Sequence, residues 1–312
     1  MPVILKEVPT VAGFYRRFID DFCKAERQKP SGIAAKETIF KKHLVPMLGS
    51  KRLDAITRED IQRVKATLID RKPKTVNNVL STLGKMLRVA EEWEIISKLP
   101  CRVKLLKQQP PEMEFYDFVE YARLVEAAEK IDDRIHVGVL LGGDAGLRSG
   151  EMTALEWTDI DFRQNLITVA RSEWRTHVTL PKGGRARKVP MTNALASGLR
   201  KLRHLRGARV LWADRGGDGT QKVLRTWMMA AQTRAGLKAT GGVHILRHTF
   251  CSHLAMRGAP TMAIKELAGH ASLGTTQRYM HLSPAAKDTA IRLLERRSES
   301  GGEMAAETKS ST

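Results

Sequence analysis

The chain has 312 residues and carries 53 lysines and arginines against 34 aspartates and glutamates, a formal net charge of +19. The length predicts two domains, and the charge exceeds what solubility requires, which points to a polyanionic partner. The three cysteines lack the paired spacing of a disulfide framework. The sequence shows neither a signal-peptide pattern nor an apolar run of the ~20 residues that span a bilayer. We therefore predict a cytoplasmic protein without a membrane segment.

The first hundred residues show the spacing of amphipathic helices. The first apolar stripe consists of Val11, Phe14, Tyr15, Phe18 and Phe22. A second helical segment ends at Pro46 and Gly49, and a third begins at Thr57 with the pattern of a capping box. A fourth keeps helical spacing over residues 76–90. We therefore predict that residues 1–96 form a helical module of four or five helices.

Residues 97–113 interrupt this helical pattern. They read SKLPCRVKLLKQQPPEM, and a helix cannot continue through Pro110 and Pro111. We predict an interdomain linker here. Its basic residues Lys104 and Lys107 are candidate contacts to a phosphate backbone.

The remaining chain is predicted to be mainly helical with a small antiparallel β-sheet, so the expected fold class is α+β. Helical periodicity returns at residues 118–125 and in the apolar run 137–141. Three short β-branched runs follow, at Leu166–Val169, Thr176–Leu180 and Lys188–Met191. Helices resume after Ala194, so residues 114–298 form the predicted second domain, and the polar tail 299–312 is expected to be disordered.

The basic excess is shared between the two predicted domains. Residues 1–112 carry 23 basic and 13 acidic side chains, and residues 113–312 carry 30 and 21. A basic tail would concentrate the charge at one end, so the distribution favours two domains that both contact DNA or RNA. A generally basic, solvated surface is the alternative.

Two glycines flank Arg148 in the sequence Gly146-Leu147-Arg148-Ser149-Gly150-Glu151, which opens a helical stretch. Glycine lets the backbone approach a ligand closely, and the start of a helix favours an anion. Arg148 is therefore a candidate anion ligand, although an arginine at this position is often only a surface charge.

The turn between the second and third predicted strands is strongly basic. It contains Lys182, Arg185, Arg187 and Lys188. A lysine at the tip of such a hairpin can reach into a DNA groove or donate a proton to a leaving oxygen. An exposed charged hairpin without a ligand is the alternative.

The sequence His244-Ile245-Leu246-Arg247-His248 places three polar side chains, His244, Arg247 and His248, on one helical face. A metal site is the rival interpretation, because the histidines are four residues apart. No glutamate, cysteine or aspartate completes it, and the arginine would repel a cation. Anion recognition fits better, so we expect neither a metal nor another cofactor.

Two further residues complete an ordered set. His270 follows a glycine, and Tyr279 lies shortly after it in LAGHASLGTTQRY. A single tyrosine on a helix is ordinarily a packing or surface residue. Its significance here comes from the order Arg, Lys, His-x-x-Arg, Gly-His and Tyr along the chain.

These residues carry a family resemblance. The segment HILRHTFCSHLAMRGAPTMAIKELAGHASLGTTQRYMHLSP resembles the carboxyl-terminal signature of the tyrosine recombinases, the family of phage integrases and chromosome-dimer resolving recombinases. GLRSGEMTALEWTDID resembles the first arginine motif of that family. The resemblance covers residues 113–294, and the helical domain before them resembles the core-binding domain of the family.

The resemblance implies a role for each residue. Tyr279 would be the nucleophile that forms a 3′-phosphotyrosine, His244 its general base, and Lys182 the acid that protonates the 5′ leaving oxygen. The groups that bind the scissile phosphate would be Arg148, Arg247 and His270. Glu151 and His248 would orient these side chains. The reaction would need neither ATP nor a metal.

The resemblance also implies an assembly. In the family, four protomers act on double-stranded core sites with inverted repeats and exchange strands through a Holliday junction, in some cases with accessory DNA-bending proteins. A nucleoid-associated cytoplasmic enzyme is expected. A helix containing Ile291 and Leu294 resembles the segment that packs on a neighbouring protomer, although packing within its own chain is nearly as well supported.

Several alternatives stay open. Integrases of the lambda type carry an additional arm-binding domain, whereas helical periodicity here starts near Val11, so the chain is either a simple recombinase or a fragment. Integration, excision and dimer resolution are not separated. A type IB topoisomerase is disfavoured by the histidine at position 244, and a DNA-binding protein with an inactive site is disfavoured by the complete residue set.

Overall fold

The computed structural model describes residues 7–108, 113–175, 177–214, 216–282 and 291. Contacts divide the chain into two compact units, residues 1–112 and 113–312. Among the described residues, no helix has both the length and the apolar character needed to cross a bilayer. The expected tail and Leu294 lie outside the described residues.

The first unit is helical, as predicted. Its α-helices are α1 (Val11–Arg17), α2 (Pro30–Ile39), α3 (Val45–Leu48), α4 (Arg58–Thr67) and α5 (Pro73–Glu92). Two π-helical segments, Phe18–Lys24 and Phe40–Leu44, prolong α1 and join α2 to α3. The predicted capping box is present, because Thr57 N donates to Asp60 Oδ2 at 2.9 Å and Asp60 N donates to Thr57 Oγ1 at 3.2 Å.

The second helical segment passes through Pro46 and ends at Leu48, before Gly49. Proline lacks the N–H that a regular α-helix needs. The π-helical segment ends at Leu44, and Pro46 follows in the first turn of α3, where a missing N–H is tolerated. The proline is therefore accommodated inside the helix.

Part of the segment predicted as a linker packs against the first unit. Val103 and Leu106 join its apolar core. The amide side chain of Asn77, on α5, donates to Leu106 O at 2.9 Å and accepts from Leu106 N at 2.8 Å. Lys104 and Lys107 remain exposed on this ordered segment.

The second unit is mainly helical with small antiparallel sheets, which confirms the predicted fold class. Its helices are α6 (Phe118–Glu129), α7 (Asp133–Gly143), α8 (Ser149–Thr153), α9 (Asn193–Leu202), α10 (Gln221–Arg234), α11 (His244–Met256), α12 (Thr261–Ala268) and α13 (Leu273–Gln277). The apolar run of α7 is buried at the centre of the core, against α6, α9, α10 and α11.

The strands differ from the single three-run sheet that we predicted. They are β1 (Ile160–Asp161), β2 (Leu166–Val169), β3 (Ser172–Trp174), β4 (His177–Thr179) and β5 (Arg187–Pro190). One sheet has the order β1-β2-β5, and β3 and β4 form a separate pair. The third predicted run thus pairs with β2 instead of the second run. The basic turn at residues 180–186 consequently connects two sheets and is not a simple hairpin tip.

Candidate active site

Arg148 lies immediately before α8 and is held by both side-chain and main-chain acceptors. Its Nη1 donates to Glu151 Oε1 at 2.8 Å, and its Nη2 donates to Gly269 O at 2.9 Å. Gly146 adopts a φ of +64°, and a Cβ at that position would lie 2.5 Å from the ring of Phe250. The glycine before Arg148 is therefore required by both backbone conformation and space.

Glu151 is a fully buried carboxylate that binds two arginines. Arg187 Nη1 and Nη2 donate to Oε1 and Oε2 at 3.1 and 2.7 Å, in addition to the bond from Arg148. Burial alone would raise the pKa of Glu151, but the hydrogen bonds and charge of Arg187 and the charge of Arg148 lower it to about 2. Glu151 is therefore ionised, and it binds Arg148 and Arg187 at the same time.

Arg187 does not occupy the solvent-facing position expected for a DNA contact. Both its terminal nitrogens face Glu151, and its Nε donates to Leu267 O at 2.8 Å. We expected a DNA contact because three cations surround Arg187 in the sequence. In the structure, the pairing of β5 with β2 determines which side of β5 faces inward, and Arg187 lies on that side. Arg185 and Lys188, on either side, are exposed.

Arg247 is a buried cation without a carboxylate partner among the described residues. Only 2 % of its surface is exposed, and its guanidinium donates to Gly146 O at 2.5 Å and to Ala268 O. Burial and the nearby charge of Arg148 lower the pKa of Arg247 to about 10, so it stays protonated at neutral pH. The charge of this site is therefore compensated only in part.

Three consecutive carbonyl groups at the end of α12 bind the three arginines. Leu267 O accepts from Arg187, Ala268 O from Arg247 and Gly269 O from Arg148. Carbonyls at the carboxyl end of a helix have no partner within the helix and carry partial negative charge. The end of α12 thus holds three guanidinium groups close to one another.

Tyr279 is buried, with 2 % of its surface exposed. Its hydroxyl lies 2.7 Å from His248 Nδ1, and the buried thiol of Cys251 is nearby. Burial and the proximity of Cys251 raise the pKa of Tyr279. The phenol is therefore uncharged at neutral pH.

His270 lies between the arginines and Tyr279. Its ring is parallel to that of Tyr279, with centroids 6.2 Å apart and an interplanar angle of 4°. Burial, together with the charges of Arg247, Arg148 and Arg187, lowers the pKa of His270 to about 3. The ring is consequently neutral at physiological pH and can only offer a hydrogen bond.

His244 is the first residue of α11 and is exposed, with its ring 4.7 Å from that of His248. Part of the ring is accessible to solvent, and desolvation of the remainder, together with the charges of His248 and Arg247, lowers the pKa of His244 below its ordinary value. The structure brings His248, and not His244, into hydrogen bonding with Tyr279. Helical spacing places both histidines on one face, so this alternative was visible in the sequence.

Lys182 is exposed and shares a cavity of about 430 Å³ with His270. Arg185, Arg187 and Lys265 also line this cavity, with Glu266 as its acidic residue. The structure thus brings the turn at residues 180–186 to the side of the arginine site.

Among the described residues, no group of histidine, cysteine, aspartate or glutamate side chains has the arrangement of a metal site.

Two family models match the chain. The phage integrase family matches residues 114–286, and the phage integrase N-terminal SAM-like domain matches residues 10–69. The first match alone covers more than half of the chain and contains every residue of the site described above.

Individual proteins agree with this assignment. A tyrosine recombinase of Thermosipho africanus is 24% identical over 287 residues, which are 89% of this chain and 98% of that protein. The structure of the Tn1549 transposon integrase in complex with a circular intermediate DNA has a TM-score of 0.79 at 19% identity, covering 92% of this chain and 99% of that one. A lambda integrase tetramer bound to a Holliday junction has a TM-score of 0.67 at 20% identity, covering 84% and 78%. The chain therefore belongs to the phage integrase family of tyrosine recombinases.

Proposed function

We propose that this recombinase cleaves a strand of duplex DNA by attack of Tyr279 on a backbone phosphate and then passes the 3′ end to a partner strand. The observation that carries the proposal is the buried Arg247, which has no carboxylate partner among the described residues and lies beside Arg148. Among the described residues of this cluster, three guanidinium groups carry positive charge and only Glu151, which binds Arg148 and Arg187, carries negative charge. A phosphodiester would supply the missing negative charge.

Arg148 and Arg247 would bind the nonbridging oxygens of the scissile phosphate. The planar guanidinium group donates two parallel hydrogen bonds, which match phosphate oxygens. Negative charge on those oxygens grows during the transesterification, so fixed donors stabilise the transition state more than the bound substrate. Neutral His270 would add a third donor, and loss of one such donor typically slows the reaction by ~10²–10³-fold.

The proton of Tyr279 must be removed as its oxygen attacks phosphorus, and two histidines can receive it. The family resemblance assigns this role to His244. The 2.7 Å contact favours His248, whose pKa is lowered by burial and by Arg247 and Arg278, so that it is free to accept a proton. We propose that His248 takes the proton and that His244, in ring contact with it, supports it.

Lys182 would protonate the leaving group. As the bond from Tyr279 to phosphorus forms, the bond from phosphorus to the 5′ oxygen breaks, and that oxygen takes a proton from Lys182. The phosphotyrosine conserves the bond energy, and therefore a 5′ hydroxyl from another strand can reverse the reaction without ATP. Access of Lys182 and His270 to one cavity supports this assignment.

We further propose that both units contact DNA and that the enzyme acts as a tetramer on inverted-repeat core sites, through a Holliday junction. Residues 1–96 would form the core-binding domain, residues 97–113 its linker and residues 114–298 the catalytic domain. Exposed Lys104, Lys107, Arg185 and Lys188 would contact phosphates. The segment with Ile291 would pack on a neighbouring protomer. The fold shared with the junction-bound lambda integrase tetramer supports this proposal.

A nicked suicide duplex carrying a candidate core site tests the reaction. The nick lets the short 5′ fragment diffuse away after cleavage, so a covalent adduct should accumulate on a denaturing gel. Incubation with two intact sites should then yield recombinant duplexes. Relaxation of supercoiled DNA without recombinant products would favour a topoisomerase, and the absence of any adduct would leave only DNA binding.

A further inference from the structure

Thr276 is a fully buried polar residue on α13 that the reaction described above does not use. Its Oγ1 lies 2.9 Å from His270 Nδ1. Threonine hydroxyls inside helices usually donate to the carbonyl four residues earlier. Here the contact to His270 is the only hydrogen bond of this hydroxyl among the described residues.

The direction of this hydrogen bond determines the tautomer of His270. A neutral imidazole has one nitrogen that donates and one that accepts. If Nδ1 donated to Thr276, the buried hydroxyl proton of Thr276 would have no acceptor, and an unmet buried donor is costly. If Thr276 donates to Nδ1, its proton is satisfied and the imidazole proton resides on Nε2.

Because Nδ1 is bound to Thr276, Nε2 is the nitrogen of His270 that can bind a ligand. This nitrogen has no hydrogen-bond partner among the described residues. It is also accessible to solvent, so an incoming group can reach it. A proton on Nε2 would donate to a phosphate oxygen. A lone pair there would repel the same oxygen.

We propose that Thr276 is a positioning residue that fixes His270 as the Nε2-protonated tautomer and thereby prepares it to donate to the scissile phosphate. This inference rests on the proposed function of His270. Thr276 also accepts the backbone N–H of Tyr279 at its carbonyl, at 3.0 Å. Thr276 therefore contacts both Tyr279 and His270, through its carbonyl and its hydroxyl respectively.

Nitrogen NMR on the full chain labelled with ¹⁵N-histidine, without DNA, tests the proposal directly. Long-range proton–nitrogen spectra distinguish protonated from unprotonated ring nitrogens, and His270→Gln identifies the signals of His270. In the native chain and in Thr276→Ser, Nδ1 should be unprotonated and Nε2 protonated. In Thr276→Val, which has nearly the same volume without the hydroxyl, the fixed tautomer should be lost. A proton on Nδ1 of the native chain, or an unchanged spectrum in Thr276→Val, overturns the proposal.

Cleavage kinetics provide a second readout. Thr276→Val should slow formation of the suicide-substrate adduct by roughly 10-fold or more, because one transition-state donor is misaligned, and Thr276→Ser should restore it. In a His270→Ala background Thr276→Val should have no further effect. Additive losses would indicate a general packing role and contradict the proposal. If the native chain shows the expected tautomer but forms no adduct, the proposed reaction fails and the tautomer assignment stands.

Discussion

The hydroxyl of Tyr279 lies 2.7 Å from Nδ1 of His248, inside a cluster that leaves the tyrosine 2 % exposed. Burial raises the pKa of the phenol and lowers that of the imidazole, so both groups are neutral at physiological pH. Transfer of the proton would create two opposite charges in a poorly solvated site. We therefore expect the proton of Tyr279 to be transferred only while the tyrosine oxygen bonds to phosphorus.

Tyr279→Phe should abolish the covalent adduct and leave DNA affinity unchanged, because only the hydroxyl is removed. A suicide-substrate gel and a mobility-shift titration measure the two properties. Tyr15→Phe, which alters a ring stacked on Phe40 in the first unit, serves as the control and should keep full activity. An adduct that persisted in Tyr279→Phe would refute the assignment of the nucleophile.

His248→Ala should slow cleavage by about 10²–10⁴-fold, which is the usual contribution of a general base. His248→Asn retains a hydrogen-bonding side chain but cannot act as a base at neutral pH, so it should be equally slow. Single-turnover cleavage at several pH values measures the effect. If His248→Ala keeps the native rate while His244→Ala loses it, the base is His244.

Lys182→Ala should slow cleavage of an ordinary substrate and recover on a substrate with a 5′-thio leaving group, because a thiolate departs without a proton. Lys222→Ala, which removes an exposed lysine on α10, is the matched control. Equal defects on both substrates would contradict the role of Lys182 as a general acid.

Glu151→Gln should destabilise the second unit at neutral pH. The folded-state pKa of Glu151 is about 2, against an ordinary value of 4.5, so its charge stabilises the fold above pH 4.5, and this contribution disappears as the pH falls towards 2. The difference corresponds to about 3 kcal/mol. Urea unfolding followed by tryptophan fluorescence should show a gap between native and variant that narrows with acidification, and a pH-independent gap would exclude this linkage.

Replacement of both Lys104 and Lys107 by alanine should weaken DNA binding similarly on all sequences. Each lost phosphate contact should reduce the slope of log affinity against log salt by ~0.9, so the double variant should lose about two units. The control is the pair Lys130→Ala and Lys201→Ala, since these lysines are bound to Glu126 and Asp133. An unchanged slope would remove the linker lysines from the interface.

Local patterns were sufficient for the helices, because stripes such as Val11, Phe14 and Phe18 report which side of a helix is buried. The strand pairing was not predictable, since the β-branched runs do not specify partners, and both β1 at Ile160–Asp161 and β3 at Ser172–Trp174 were missed. The inward position of Arg187 depends on a carboxylate 36 residues away in sequence. The partners of Tyr279 and His270 are likewise tertiary contacts, although Thr276 and His248 lie within the motifs quoted from the sequence.

The end of α12 sets the spacing of the three arginines through main-chain atoms at Leu267, Ala268 and Gly269. Point substitutions leave carbonyl oxygens in place, so a side chain at 267 or 268 can change without loss of an acceptor, provided that the new side chain fits the core into which Leu267 and Ala268 pack. Insertion or deletion of one amino acid there would shift every acceptor by one peptide unit and misalign all three cations simultaneously. The geometry of the three arginines therefore depends more on the length of this segment than on its composition.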